Sequence, residues 1–247
     1  IGVRLVGSEM CIRDSSYSAR VTINLRSSKM RTLVIWAISA FMLVAPASAE
    51  LIKDDNPYRL LEKVAEQTFA RIANERDTID ENPDHLKVIV KDELMPYVDN
   101  IFASKKVLGR YFKDTSSEQR QAFYQAFTDY IVATYARAFT QSDETKHEVE
   151  FVNAKNVSAS DRDVTVETRV VETGRDPIRL NFRVRYDADS EIWKAYDLVV
   201  EGVSLLSSKQ SEINAVIRSR GIDNTIELLN NKAQQPIRLD DEVDVPA

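Results

Sequence analysis

A chain of 247 residues with 33 Lys+Arg against 39 Asp+Glu carries a formal charge of −6, and this acidic balance argues against nucleic acid as a partner, since phosphate binding needs clustered cations. One cysteine and two histidines argue against a disulfide framework and against a cysteine- or histidine-built metal centre, and six glycines leave little room for a glycine-rich phosphate loop.

The first feature along the chain is an export signal that begins at Met30, not at residue 1. Met30-Arg31 gives a short positive start, Leu33–Val44 an apolar run, and Ala47-Ser48-Ala49 a small-x-small cleavage site. A membrane-spanning helix needs about 20 apolar residues, so this run is too short to be one. Residues 1–29 have no helical or strand period in Gly2–Ser15 and read as sequence foreign to the native protein. The expected organisation is therefore foreign sequence over 1–29, a signal peptide over 30–49, one domain over 50–234 and a disordered acidic tail over 235–247. Removing residues 1–49 takes away Cys11, six Lys+Arg and two Asp+Glu, leaving 27 against 37 and a charge of −10. Export without disulfides fits the periplasm, the expected location.

Asn56-Pro57 predicts a helix start, with Asn as N-cap and Pro in the first turn. Tyr58, Leu61, Ala65, Thr68 and Ile72 follow at helical spacing. Asn82-Pro83-Asp84 starts a second helix that Pro96 ends. Val98–Phe112 reads as two short helical pieces, with Gly109 near the end of the second. Ser116 with Gln119 predicts a capping box before a long helix to about Phe139, whose apolar positions include Phe123, Phe127, Tyr130, Ile131 and Tyr135.

After residue 146 the period changes to two. Val164, Val166, Thr168 and Val170 form one alternating set; Ile178, Leu180, Phe182, Val184 and Tyr186 form another. With strands over Glu148–Val157 and Ile192–Glu201, they predict a four-stranded, mixed or antiparallel twisted sheet with one covered and one wet face. Gly174–Pro177 and Asp187–Ser190 are the turns. The chain then returns to helix over Leu205–Arg220, stops at Gly221, and resumes to about Lys232. The fold class is α+β, with helices packed on one face of the sheet and enclosing an apolar cavity.

Little in this inventory can do covalent chemistry. His85 and His147 stand alone in polar stretches, and Ser204 lacks the glycine a nucleophile elbow needs, because Leu206 occupies that place. Asp99 and Asp197, each beside apolar residues, keep a second reading open: an α+β hydrolase-type enzyme using one of them as acid or base. The same residues also suit helix caps or ion pairs. A purely structural or chaperone-like module is a third reading. Arg169, Arg179, Arg183 and Arg185 share the wet face, as a solvated row or as a docking surface for an acidic partner.

Several segments in order resemble the MlaC family of periplasmic phospholipid-binding proteins, also called toluene-tolerance auxiliary proteins. They are Asn56-Pro57-Tyr58, Leu94–Asp99, Val107–Tyr111, Gln119–Phe123, Thr134-Tyr135-Ala136, Trp193–Leu205 and Gly221-Ile222-Asp223, over about residues 55–232. The family's Tyr-Arg pair after the Val-Ser-Leu segment is replaced here by Ser208-Lys209, and a lysine lacks the planar fork of arginine. The resemblance implies a noncatalytic, monomeric shuttle without cofactor. It would carry phospholipid between an outer-membrane lipoprotein–porin complex and an inner-membrane ABC transporter with an MCE-domain ring, maintaining outer-membrane lipid asymmetry.

Physical logic agrees with such a cargo. At about 0.8 kcal/mol per methylene, two acyl chains of about 14 methylenes each would cost roughly 22 kcal/mol in water, so a carrier must offer an apolar interior. Periodicity and position put Val98, Phe102, Val107, Tyr111, Phe127 and Ile131 on its walls. Tyr135, Phe182, Val184, Tyr196, Leu198 and Val203 complete the expected lining.

Overall fold

In the computed structural model, helix α1 (Pro57–Asn74) starts as the sequence predicts. Asn56 Oδ1 accepts from the Tyr58 N–H at 2.9 Å, and Pro57 supplies a first-turn residue that needs no hydrogen-bond acceptor. The Asp54 carboxylate sits beneath this cap and accepts from Asn56 N, Arg59 and Lys63. Residues 51–140, 147–152, 157, 159–172 and 174–239 are described; the leader assigned to 1–49 lies outside them.

A short helix α2 (Arg76–Glu81), absent from the sequence reading, precedes α3 (His85–Ile89). Helix α3 loosens into a π turn over Val90–Leu94 and a 3-10 turn over Met95–Tyr97, where Pro96 cannot continue the ladder. Asp99 then caps α4 (Asn100–Leu108), accepting from Phe102 N at 3.0 Å. Gly109, with φ of 52°, ends α4 and opens a 3-10 segment over Gly109–Asp114, so it is the joint between the two pieces and not near the end of the second. The capping box forms in both directions: Ser116 Oγ accepts from Gln119 N and Gln119 Oε1 from Ser116 N, each at 3.1 Å, and α5 (Ser117–Thr140) follows.

Among the described residues the sheet has six strands, against the four expected. They are β1 (His147–Phe151), β2 (Asp163–Val166), β3 (Thr168–Glu172), β4 (Ile178–Asp187), β5 (Ile192–Val200) and the two-residue β6 (Val203–Ser204). The neighbours run β1-β3-β4-β5-β6, all antiparallel, with β2 also on β4. β2 and β3 are one predicted strand interrupted at Glu167. Val166 pairs with Phe182 and Arg169 with Arg179 in unchanged register, while Thr168 N turns to the Asn181 side chain. β6 is the extra hairpin partner of β5. A β-bulge between Arg183 and Val184 leaves Tyr196 between two ladder pairs, Asp197↔Arg183 and Ala195↔Val184.

Helix α6 (Leu205–Gln234) bends at Gly221, whose φ of 79° and ψ of 171° are the predicted break. Residues 235–239, expected to belong to the acidic tail, instead dock: Ile237 is buried, and its N–H donates to Asp84 at 2.9 Å.

Three closed cores result. One joins α4, α5 and α6 around Val107, Phe123, Phe127 and Ile213. A second places Tyr58, Leu60 and Val64 of α1 on Val166, Val184 and Trp193 of the sheet. The third gathers Ile72, Ile89, Val132 and Ala136. No helix among the described residues is long and apolar enough to cross a membrane.

Candidate functional site

Alternation puts Leu180, Phe182 and Val184 of β4 on one face, and pairing adds Val200, Leu198 and Ala195 of β5. One end of this apolar face is shut. Val166, Val184 and Trp193 are fully buried, and α1 is pinned there by Trp193 Nε1 donating to the Asp55 carbonyl at 2.9 Å and Tyr58 Oη to the Thr165 carbonyl at 3.2 Å. The other end is open. Leu180, Phe182, Leu198 and Val200 are only half-buried, and the rim residues Ile178 and Val203 are 50% and 45% exposed.

Tyr135 of α5 packs against the third core, near enough to β5 to feel the Asp197 charge on the arginine-bearing face. Burial pushes its hydroxyl pKa up to about 12, and the charge of Asp197 on β5 adds to the shift. The side chain nevertheless keeps accessible surface, as does Ile131 one turn before it. Ile131 and Tyr135 thus flank the helical cores, and Phe182 the sheet core, as half-buried residues.

The remaining expected wall residues distribute differently. Val107, Phe127 and Val184 are fully packed core. Tyr111 packs against the helical core beside Arg110, and Val98 forms a parallel bridge to Ala195 at the sheet edge. Phe102 and Tyr196 lie on the opposite, charged face. Their rings meet edge-on at 5.1 Å, Arg185 covers Phe102 at 4.4 Å, and Tyr196 Oη donates to Asp163 at 3.0 Å. The bulge explains Tyr196: one extra residue reverses the alternation. Burial, followed by Asp163, pushes the Tyr196 hydroxyl up to about 12. Leu180, Val200 and Ile178 were missed as site residues, although their places in the alternation signalled the face.

Both carboxylates of the enzyme reading are occupied by the fold. Asp99 caps α4 and faces Arg185 at 3.6 Å. Asp197 accepts from Ser204 Oγ at 2.7 Å and Leu206 N at 3.0 Å, capping the turn into α6, with Arg183 at 3.5 Å. The arginine row is matched in kind: Arg169 pairs with Glu150 and Arg179 with Glu201. Lys209 binds Glu212 at 2.7 Å and sits 5.6 Å from the Tyr130 ring. A surface cleft between the start of α5 and the second half of α6 is open to solvent, with Ala122 and Ile226 at its floor and Glu118, Asp223 and Glu227 among its lining residues.

Comparison with known proteins agrees with this architecture. A family model described as "MlaC protein" matches residues 62–231. The "Intermembrane phospholipid transport system binding protein MlaC" of Haemophilus influenzae is 32% identical over 210 residues, covering 85% of this chain and 95% of that protein. A Ralstonia solanacearum phospholipid-binding protein, solved in complex with a phospholipid, superposes with a TM-score of 0.62 at 22% identity. The likeness covers 73% of this chain and 97% of that one, and it shows the shared fold. On the family match and the Haemophilus relative, the chain belongs to the MlaC family.

Proposed function

We propose that this protein binds phospholipid and carries it between the two membranes of a double-membraned bacterium, through the periplasm, without chemistry on the lipid. The observation that carries the reading is the half-open apolar sheet face of Leu180, Phe182, Leu198 and Val200. Acyl chains would lie along this face and the headgroup would stay in water near the Ile178–Val203 rim. Family membership and the Haemophilus relative's role support it.

The partners that fit a shuttle are an outer-membrane lipoprotein–porin complex and an inner-membrane ABC transporter with an MCE-domain ring. Lipid extraction and native mass spectrometry of the purified protein test the cargo. Wild type is expected to carry phospholipid, and Leu198→Arg to carry about tenfold less or none while keeping its circular dichroism. Wild type that neither holds lipid nor takes it up from vesicles sinks the proposal.

A further inference from the structure

The arginine row is not where this protein has charge to offer. Arg169, Arg179, Arg183 and Arg185 each face a carboxylate, and Lys194 and Lys209 do as well. Along α4 and the 3-10 segment after it the situation reverses. Lys105, Lys106, Arg110 and Lys113 are all exposed, and among the described residues none has an ion-pair partner. Asp114 is the one carboxylate within residues 100–114. The helix C-terminus favours Lys105 and Lys106, but Arg110 and Lys113 lie beyond it.

Two further features mark this surface as built to receive negative charge. Lys106 and Arg185 both approach the Phe102 ring, at 5.2 and 4.4 Å from its centre, so two cations gather on one aromatic group with Asp99 as the nearby counter-charge. The platform beneath is fixed. Ala103, Val107 and Leu108 are buried, and α6 clamps the backbone through Gln210 to the Lys106 carbonyl and Asn214 to the Val107 carbonyl, each at 2.6 Å. Gly109 allows that approach, since a Cβ there would stand 2.7 Å from Gln210 Nε2. A surface already rigid loses little entropy on binding.

We propose that the exposed side of α4 and the following 3-10 segment is the docking surface for a protein partner that presents a compact acidic patch. An anionic bilayer is the poorer match. An extended plane meets the −10 charge of residues 50–247 as well as the patch, and Ile101 is the one large exposed apolar residue of α4. A compact acidic surface meets only charges within a Debye length of about 8–10 Å, comparable to the roughly 13 Å of α4. The inference goes beyond the carrier reading and depends on it only in that a carrier must dock.

The test titrates a polyglutamate peptide into the purified protein, following amide shifts, at low and at physiological salt. Saturable binding is expected, with shifts confined to residues 101–114 and Arg185, and an affinity that falls steeply with salt. Lys105→Glu with Lys106→Glu and Lys113→Glu is expected to weaken it about tenfold or more. The same three positions changed to Gln should weaken it less and guard against a folding defect. Scattered shifts, or variants that bind as wild type does, overturn the proposal. Tighter binding through these residues to vesicles of phosphatidylethanolamine with phosphatidylglycerol also overturns it, in favour of a membrane surface. Lipid content is read in parallel. Lipid-free wild type refutes the carrier and leaves docking to be judged by the titration alone, and lipid-loaded variants that lose polyglutamate separate the two.

Discussion

The Asp197 carboxylate is occupied by the chain itself: two bonds hold the turn between β5 and α6, and the side chain is 1% exposed. Asp197→Asn should lower stability to urea by about 1–2 kcal/mol, because charge-assisted bonds to a buried group are weakened. Protein that still folds should keep its lipid. Loss of cargo without loss of stability would revive a direct role for this residue. Asp187 illustrates a pH effect. Lys194, then Ser190, hold its carboxyl down at about 2 against an ordinary 3.8. A carboxyl depressed in the folded state adds stability above its unfolded pKa and loses it as pH falls through the folded one. The loss therefore falls between about pH 4 and pH 2 and amounts to roughly 1–2 kcal/mol after solvent screening. Urea midpoints across this range should fall less for Asp187→Asn than for wild type, and parallel curves would refute the pairing.

Helix ends were the most legible elements, because a cap needs only its neighbours. Asn56-Pro57, Ser116 with Gln119, and Gly221 all act where the sequence places them. The two glycine joints separate conformational from steric cost. At Gly221 nothing lies within 4 Å of an added Cβ, so Gly221→Ala meets only backbone strain, expected to lower stability by about 1–3 kcal/mol. Gly109→Ala adds a clash with Gln210 and should cost more, together with the clamp on α4. Equal unfolding midpoints for the two variants would contradict that order. Strands were legible by their period and not by their continuity. The Glu167 interruption and the bulge at Tyr196 depend on what β4 offers across the ladder.

The molecule as a whole closes one end of an apolar sheet with α1 and leaves the other end half-covered. If lipid completes that end, it binds the folded state alone and stabilises it by mass action. Protein stripped of lipid with detergent is expected to melt several degrees lower, since about 1 kcal/mol corresponds to roughly 2–4 °C for a chain near 200 residues. Readdition of phospholipid should restore the melting temperature. Identical melting of the stripped and loaded forms would mean that the open face is not completed by cargo.

Local chemistry was written in the order of residues: the acidic balance, the caps and breaks, the change of period at residue 146, and the motif order that carries the family. These depend on contacts a few positions apart. Which apolar residues close into core and which stay open could not be read in the same way. Val184 and Phe182 share one face of one strand, yet only Val184 is fully covered, because α1 happens to cross there. Tyr196 follows the alternation in sequence and leaves it in space, because a bulge set by pairing turns it to the charged face. The arginine row looks free along the chain and is matched in the fold, while the lysines of α4 are left unmatched by partners far away in sequence. Burial and charge pairing are sums over neighbours brought together from distant segments, and only the tertiary structure chooses those neighbours.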